Sequence, residues 1–247
     1  MAVKKERLDK LVQERFPHLT RAQVQGFIMQ GKVKVDNKVS TKSGVLFNPL
    51  VEVALDEEIP RFVSRAGLKL EKALEHFGVN VMEKVALDAG LSTGGFTDCL
   101  LQKGIAKVYG VDVGYGQVHE SIARNPRVIV MERTNIRNLE SLPEMVDVVT
   151  LDLSFISVLK VIERVVTFMK PGAELIVLIK PQFEAERKDI ARGGVVKDPL
   201  VHKKVVEKMT EGISAAGLAF HGVIDSPILG GTSGNKEMLA YFTKSLM

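Results

Sequence analysis

Short apolar segments alternate with longer amphipathic ones through most of this chain. Val85–Asp88, Val108–Val113, Val146–Leu151 and Glu174–Ile179 are strand-sized, and helical spacing precedes the first of them over Gly67–Phe77. Strands joined through helices pair in parallel and are covered on both faces. The sequence therefore predicts an α/β fold with a Rossmann-like sheet.

The helical pattern that begins at Val158 continues to Met169, where Lys170-Pro171-Gly172 follows. Proline and glycine commonly follow the end of a helix, so we predict a helix over Val158–Met169 that stops there. Leu200–Ala215 is predicted to be the last helix. Two late strands, Phe220–Ile224 and Glu237–Phe242, complete the pattern.

The N-terminal part of the chain is basic, and its pattern predicts helices followed by a hairpin. Ten lysines and arginines but only four acids lie before residue 45, which favours a polyanionic partner, although a solvated surface would also explain them. Thr20 is predicted to cap a helix that Gly31 ends, and Asp36-Asn37 to form a tight turn. We predict a small α+β domain over residues 1–59 and a second domain over 60–247.

Composition narrows the functional classes. The net charge is +4, and the single cysteine, Cys99, excludes an internal disulfide, which fits a reducing compartment. We find no signal peptide and no apolar run of membrane-spanning length, so a cytoplasmic protein without a membrane partner is expected. The five histidines lack metal-ligand spacing, and no metal is predicted.

A glycine-rich loop follows the first strand and opens a helix. The cofactor-binding positions predicted in and after this loop are Asp88, Gly90, Ser92, Thr93, Gly94 and Asp112, with Asn135 as a candidate adenine contact. Asp112 ends the next strand, where a carboxylate can bind ribose hydroxyls. Asn135 fits a simple turn residue nearly as well.

Asp88 decides which cofactor the loop favours. A carboxylate beside a pyrophosphate would repel it, whereas S-adenosylmethionine carries a sulfonium and an ammonium. The pattern G-x-G-x-x-G is also absent. The sequence thus favours S-adenosylmethionine over NAD, and the alternative is a structural turn in which Asp88 caps the helix.

Ionisable residues stand where strands end. Asp152 follows Val146–Leu151 and Lys180 follows Glu174–Ile179, while Lys69 lies in the helix before the first strand and Glu237 begins the last strand. Ligands of doubly wound sheets bind at the carboxyl ends of the strands. An acid and an amine are therefore expected at the reactive edge.

The N-terminal segment resembles the RNA-binding domain named after small-subunit ribosomal protein four. The resemblance is carried by Arg7–Leu11, Thr20–Gln23 and Ile28–Val39, with Thr20 where that family usually has serine. It implies RNA binding through a set of mostly basic residues: Arg7, Arg21, Gln25, Lys32 and Lys34. Such side chains contact phosphates and position a protein on RNA without reading its sequence.

The remaining motifs are similar to those of the TlyA family, whose catalytic domain is of the FtsJ type. They are Ser64–Leu70, Asp88–Thr97, Leu151–Ser157, Ile179–Glu184 and Gly193–Val196. Arg65-Ala66-Gly67 departs from the usual Arg-Gly-Gly, which affects the turn before Lys69 but not its amine. Members of this family are named both as hemolysins and as ribosomal RNA 2′-O-methyltransferases.

The resemblance implies a class I methyltransferase with a catalytic tetrad of Lys69, Asp152, Lys180 and Glu237. Its expected substrate is a cytidine ribose in ribosomal RNA of one or both subunits. A ribose hydroxyl must lose its proton as it attacks, and Lys180 is the expected base. Two alternatives remain open, a membrane-active hemolysin and a non-catalytic RNA-binding ribosome-assembly factor, and the sequence indicates no oligomeric state.

Overall fold

A computed structural model describes residues 5–56, 61–230 and 234–246. The chain divides into two compact units, Met1–Ile59 and Pro60–Met247. The predicted domain limits at residues 1, 59, 60 and 247 all lie outside the described residues. Each unit packs around hydrophobic side chains of its own.

The N-terminal unit combines two helices with short antiparallel strands. In chain order its elements are β1 (Glu6–Arg7), α1 (Leu8–Arg15), α2 (Arg21–Met29), β2 (Val33–Val35), β3 (Lys38–Val39), β4 (Leu46–Phe47) and β5 (Val53–Leu55). Strand β1 pairs with β4, and β2 lies between β3 and β5. Leu8, Val24, Phe27 and Val33 are among the side chains that join both helices and β2 in one core.

The predicted cap, stop and turn of this unit are confirmed. Thr20 Oγ1 accepts a hydrogen bond from Gln23 N–H (3.3 Å), and Gln23 Oε1 accepts one from Thr20 N–H (2.8 Å), which is a capping box. Gly31 follows α2 with φ +72°, and Asp36 and Asn37 turn with φ values of 46° and 62°. Two successive residues in the left-handed region suit a two-residue hairpin.

The C-terminal unit alternates strands and helices. Its elements are α3 (Ala66–Phe77), β6 (Val85–Ala89), α4 (Gly95–Gln102), β7 (Lys107–Val111), α5 (Glu120–Ala123), β8 (Val128–Met131), β9 (Val146–Leu151), α6 (Ile162–Phe168), β10 (Met169–Ile179), α7 (Pro181–Glu184), α8 (Pro199–Ala215), β11 (Leu218–Asp225) and β12 (Met238–Lys244). The seven strands form one sheet in the order β11-β12-β10-β9-β6-β7-β8.

The sheet is parallel from β10 to β8, and β12 and β11 add to it antiparallel. Neighbouring residues of a central strand enter different cores: Ala86 packs with α3 and α4 on one face, and Leu87 packs on the face covered by α6 and α8. Burial on both faces explains why the central strands are continuous apolar runs. The predicted α/β fold with a mainly parallel sheet is confirmed.

The predicted helix over Val158–Met169 is wrong in its bounds. A 3₁₀ turn covers Val158–Lys160, α6 ends at Phe168, and Met169 already begins β10. Lys170-Pro171-Gly172 therefore lies inside a strand. The register with β9 shifts between Met169 and Glu174, and Gly172 has φ +75°, so the strand bulges where proline cannot donate a hydrogen bond. Helix α5 was not predicted.

No helix in residues 5–56, 61–230 or 234–246 is both long and apolar enough to cross a membrane.

Candidate active site

The carboxyl edge of the sheet gathers three of the four predicted catalytic residues. Asp152 directly follows β9, and Lys180 directly follows β10. Ile179 pairs with Met238 across the antiparallel β10–β12 junction, so Glu237 precedes β12 beside Lys180. Parallel strands and one antiparallel neighbour thus bring residues from distant parts of the chain to one edge.

Lys180 is held by two partners from the segment after β9. Its Nζ lies 2.6 Å from Asp152 Oδ1 and donates a hydrogen bond to Ser154 Oγ (2.8 Å). Both side chains of the ion pair are mostly shielded, with 11% of Lys180 and 16% of Asp152 exposed. The amine is therefore fixed at a partly dry edge and remains reachable from solvent.

Lys69 and Glu237 form the second ion pair, with 2.6 Å between Lys69 Nζ and Glu237 Oε2. Both side chains are buried. Helix α3 supplies Lys69 near its N-terminus, and Gly67 lets this turn pack against Phe62, since a Cβ there would overlap the phenyl ring. Two buried opposite charges offset each other's loss of hydration only while both are present.

A cavity of about 480 Å³ opens at the same edge. Four of the predicted cofactor positions line it: Gly90, Ser92, Asp112 and Asn135. Asp152 and Ser154, the two partners of Lys180, also line it. The cavity therefore connects the loop after β6 with the ionisable residues at the ends of β9 and β10.

Asp112 is oriented by backbone amides of two loops. Its Oδ2 accepts a hydrogen bond from Ser92 N–H (2.7 Å), and its Oδ1 accepts one from Gly114 N–H (2.7 Å). The carboxylate is half-buried in the cavity wall. An aligned carboxylate at the end of the second strand is suited to bind vicinal hydroxyls of a ribose.

Gly90 makes the close approach that the glycine loop was predicted to need. It has φ +90°, and a Cβ at this position would overlap the carbonyl oxygen of Asp152. Any other residue would push the loop away from the segment that holds Lys180. Glycine here thus serves the packing of two loops against each other as well as access for a ligand.

Asp88, Thr93 and Gly94 do not line this cavity. Asp88 is fully buried, and its two oxygens accept hydrogen bonds from the hydroxyls of Thr97 (2.7 Å) and Thr150 (2.8 Å). Burial raises the pKa of Asp88 to about 6, against the lowering effect of both hydroxyls. Gly94 precedes α4 with φ +96°, packed against Ile122. Direct cofactor contact by these three stays a prediction, while the observed contacts of Asp88 and Gly94 fix the loop.

Asn135 has a turn role in this structure. Its Oδ1 accepts a hydrogen bond from Arg137 N–H (3.0 Å) and caps a short 3₁₀ helix over Ile136–Asn138. The side chain still lies in the cavity wall. The adenine contact stays a prediction, and the cap is compatible with it because an amide also has donor hydrogens.

Phe155 is a site residue that the sequence did not single out. Its side chain is 92% exposed beside the cavity, and its backbone has φ +66°, a conformation that costs energy for a bulky residue. The ring centroid lies 5.1 Å from that of Phe183, and Phe183 lies under Lys180 Nζ at 5.9 Å. The available signal was its position three residues beyond Asp152, at the same strand end.

The predicted RNA contacts of the N-terminal unit lie at or near its surface. Arg21 and Lys34 are exposed, and Gln25 and Lys32 are half-buried, with Lys32 Nζ 5.8 Å above the Phe27 ring. Arg7 donates two hydrogen bonds to Asp9 (2.9 and 2.8 Å), and this pairing raises the pKa of Arg7. Arg7 therefore carries a partly neutralised charge.

Comparison with known proteins identifies the family. The model of the FtsJ-like methyltransferase family matches residues 62–244. The chain belongs to this family. The S4 domain model matches residues 6–49 of this FtsJ-like methyltransferase. The resemblances stated from the sequence are thereby confirmed.

Relatives match the FtsJ-like methyltransferase over both units. It is 40% identical over 221 residues to the 16S/23S rRNA (cytidine-2′-O)-methyltransferase TlyA of Mycobacterium tuberculosis, covering 88% of this chain and 82% of the relative. It is 36% identical over 239 residues to Hemolysin A of Brachyspira hyodysenteriae, covering 96% and 99%. A solved structure of a hemolysin-named protein from Streptococcus thermophilus has 37% identity and a TM-score of 0.77, covering 99% of this chain and 90% of that one.

The FtsJ-like methyltransferase uses S-adenosylmethionine as its methyl donor, and the cavity fits that molecule. A volume of about 480 Å³ lies in the range of pockets that hold ligands of this size. Asp112 supplies the carboxylate that a ribose needs, and Gly90 and Ser92 supply a backbone wall. These residues, with Asn135, would hold the donor.

Proposed function

We propose that this enzyme methylates the 2′-hydroxyl of a cytidine ribose in ribosomal RNA. The observation that carries the proposal is the Lys180 amine, fixed by Asp152 and Ser154 where the cofactor cavity opens. Curated relatives at about 40% identity are named for this reaction. A primary amine there suits an acceptor whose proton must be removed, as in an alcohol.

The proposed mechanism assigns each ion pair a task. The donor supplies, when bound, a methyl group activated by sulfonium. Lys180 Nζ, in its neutral form, accepts the proton of the ribose hydroxyl as the oxygen attacks, and Asp152 stabilises the ammonium that forms. The Lys69–Glu237 pair holds the neighbouring wall at the sheet edge. Much of the acceleration is expected from alignment of the reacting atoms.

The exposed Phe155 ring supports a nucleotide as the acceptor. A nucleobase released from an RNA helix is commonly held by stacking on an aromatic side chain. Phe155 presents such a ring next to the cavity. It contacts Phe183, and Phe183 in turn lies beside the Lys180 amine. We therefore propose that it stacks with the target base while Lys180 contacts the ribose.

We further propose a division of labour between the units: residues 1–59 bind structured RNA, and residues 60–247 catalyse transfer. Arg21 and Lys34 provide exposed charge for phosphates, and the S4 match supports RNA as their partner. A ribosomal substrate would place the reaction in the cytoplasm.

The deciding experiment incubates unmodified small and large ribosomal subunits separately with a methyl-labelled donor and maps ribose methylation. The proposal expects label on a cytidine 2′-oxygen in at least one subunit, and no label with Lys180→Ala. Label on a base, on protein or nowhere in either subunit would refute it.

A further inference from the structure

The two segments that follow β9 and β10 contact each other in sequence order. Asp152 and Ser154 meet Lys180, and Phe155 meets Phe183. One contact further on, Glu184 Oε1 accepts a hydrogen bond from Val158 N–H (2.8 Å). Glu184 closes this series of contacts, and the mechanism above gives it no task.

Glu184 is buried and is held through both its backbone and its side chain. It is 4% exposed, and its backbone carbonyl oxygen accepts a hydrogen bond from Lys208 Nζ of α8 (2.9 Å). Its side chain reaches the first N–H of the 3₁₀ turn Val158–Lys160, which has no backbone acceptor within that turn. Glu184 therefore links the end of the β9 segment, through its carboxylate, to a long helix of the domain, through its backbone carbonyl.

The segment between the contacts of Lys180 and Glu184 contains a strained residue. Phe155 lies three residues before Val158, in a left-handed conformation with its ring in solvent. Such strain persists only where surrounding contacts impose it. Lys180 anchors the segment on one side of Phe155 and Glu184 anchors it on the other.

We infer that Glu184 is a positioning residue, which holds residues 153–157 so that Phe155 is presented to the incoming nucleotide. The inference rests on the proposed function, because it deepens the role given there to Phe155. The bond to Val158 N–H requires an acceptor oxygen and no charge. Burial raises the pKa of Glu184, so a neutral amide is expected to replace it well.

The test compares Glu184→Ala, Glu184→Gln and Phe155→Ala, alone and with the double variant Glu184→Ala/Phe155→Ala, on the full-length enzyme. Glu186→Ala is the matched control, since Glu186 lies two residues away, is exposed and forms an ion pair with its near neighbour Lys188. The thermal unfolding midpoint of each variant is measured first. The kcat and KM for ribosomal subunits are then measured with saturating S-adenosylmethionine, at a temperature well below the lowest of these midpoints.

Glu184→Ala is expected to lower kcat/KM for RNA roughly 10- to 100-fold, mostly through KM, because the stacking ring is misplaced. Glu184→Gln and Glu186→Ala should stay close to wild type. The kcat/KM of the double variant should be no lower than that of the less active single variant, since both changes remove the same contact to RNA.

Three results would overturn the inference: losses that multiply in the double variant, Glu184→Gln as poor as Glu184→Ala, or Glu184→Ala with a lowered midpoint but wild-type kcat/KM. If the wild-type enzyme itself methylates no ribose, the proposed function fails, which is a separate outcome.

Discussion

Lys69 Nζ and Glu237 Oε2 lie 2.6 Å apart, and both side chains are buried in the catalytic unit although 168 residues separate them in the chain. Each buried charge is stable in its apolar surroundings only because the other is present. The pair therefore contributes to the stability of the fold as well as to the reactive edge.

Removing one member of this pair should destabilise the protein strongly. Glu237→Ala leaves the Lys69 ammonium buried without a counter-charge, and we expect the free energy of unfolding to fall by about 3–5 kcal/mol. The double variant Lys69→Met/Glu237→Leu should recover most of that loss in urea denaturation while methylation stays absent. Glu207→Ala, from the exposed Lys203–Glu207 pair, is the control and should change stability by less than about 1 kcal/mol.

Lys180→Ala should abolish methyl transfer and spare the cofactor site. The loss of turnover is expected to be at least about 100-fold, because a proton acceptor is removed. Calorimetry should still detect S-adenosylmethionine binding, since Asp112 and the Gly90 loop are intact. Lys188→Ala, at an exposed lysine of the same region, is the control. Normal turnover in Lys180→Ala would remove Lys180 from the mechanism.

The sequence was sufficient to place Asp152 and Lys180 together because both follow buried strands, and parallel strands end at one edge. It was not sufficient to pair Lys69 with Glu237, since that contact depends on β12 entering the sheet antiparallel beside β10. Nothing local to either residue encodes this order of strands.

Two further features of the site arise only from the folded structure. The buried Asp88 carboxyl is satisfied by hydroxyls on α4 and β9, which converge on it only in the folded sheet. The left-handed backbone of Phe155 is imposed by contacts with the segment after β10, and no intrinsic preference of phenylalanine predicts it. Strand and helix positions, by contrast, follow from periodicity and were mostly predicted.

Asp112 should control cofactor affinity. Asp112→Ala removes the carboxylate from the cavity and also the acceptor for Ser92 and Gly114 N–H, so we expect S-adenosylmethionine to bind roughly 10- to 100-fold more weakly. Asp112→Asn keeps one acceptor oxygen, so its affinity for S-adenosylmethionine should lie between those of wild type and Asp112→Ala. Calorimetric titration of the donor in the absence of RNA measures both, and unchanged affinity in Asp112→Ala would exclude the ribose contact.

Asp88 predicts a pH dependence of stability. Its pKa is raised from 3.8 in the unfolded reference to about 6, so the native protein holds this proton more tightly than the unfolded chain. The associated stability is complete below about pH 4 and is lost as pH rises through 6, amounting to roughly 3 kcal/mol. Asp88→Asn lacks this titration.

The measurement for Asp88 is urea denaturation of wild type and Asp88→Asn between pH 4 and pH 7. The variant should gain stability relative to wild type as pH rises. Asp225→Asn serves as the control because Asp225 is largely exposed, and its difference from wild type should lack this trend. A pH-independent difference for Asp88→Asn would show that the native carboxyl titrates normally.

Phe155 offers a separation of stability from activity. Phe155→Gly relieves a left-handed backbone at little loss of packing, because the side chain is 92% exposed, so the free energy of unfolding should be unchanged or rise by about 1 kcal/mol. Loss of the ring should raise KM for ribosomal subunits, with base stacking worth about 1–3 kcal/mol. Phe155→Tyr retains the ring and should keep KM near that of wild type. A stable Phe155→Gly enzyme with wild-type KM would show that the strain at this position does not serve RNA binding.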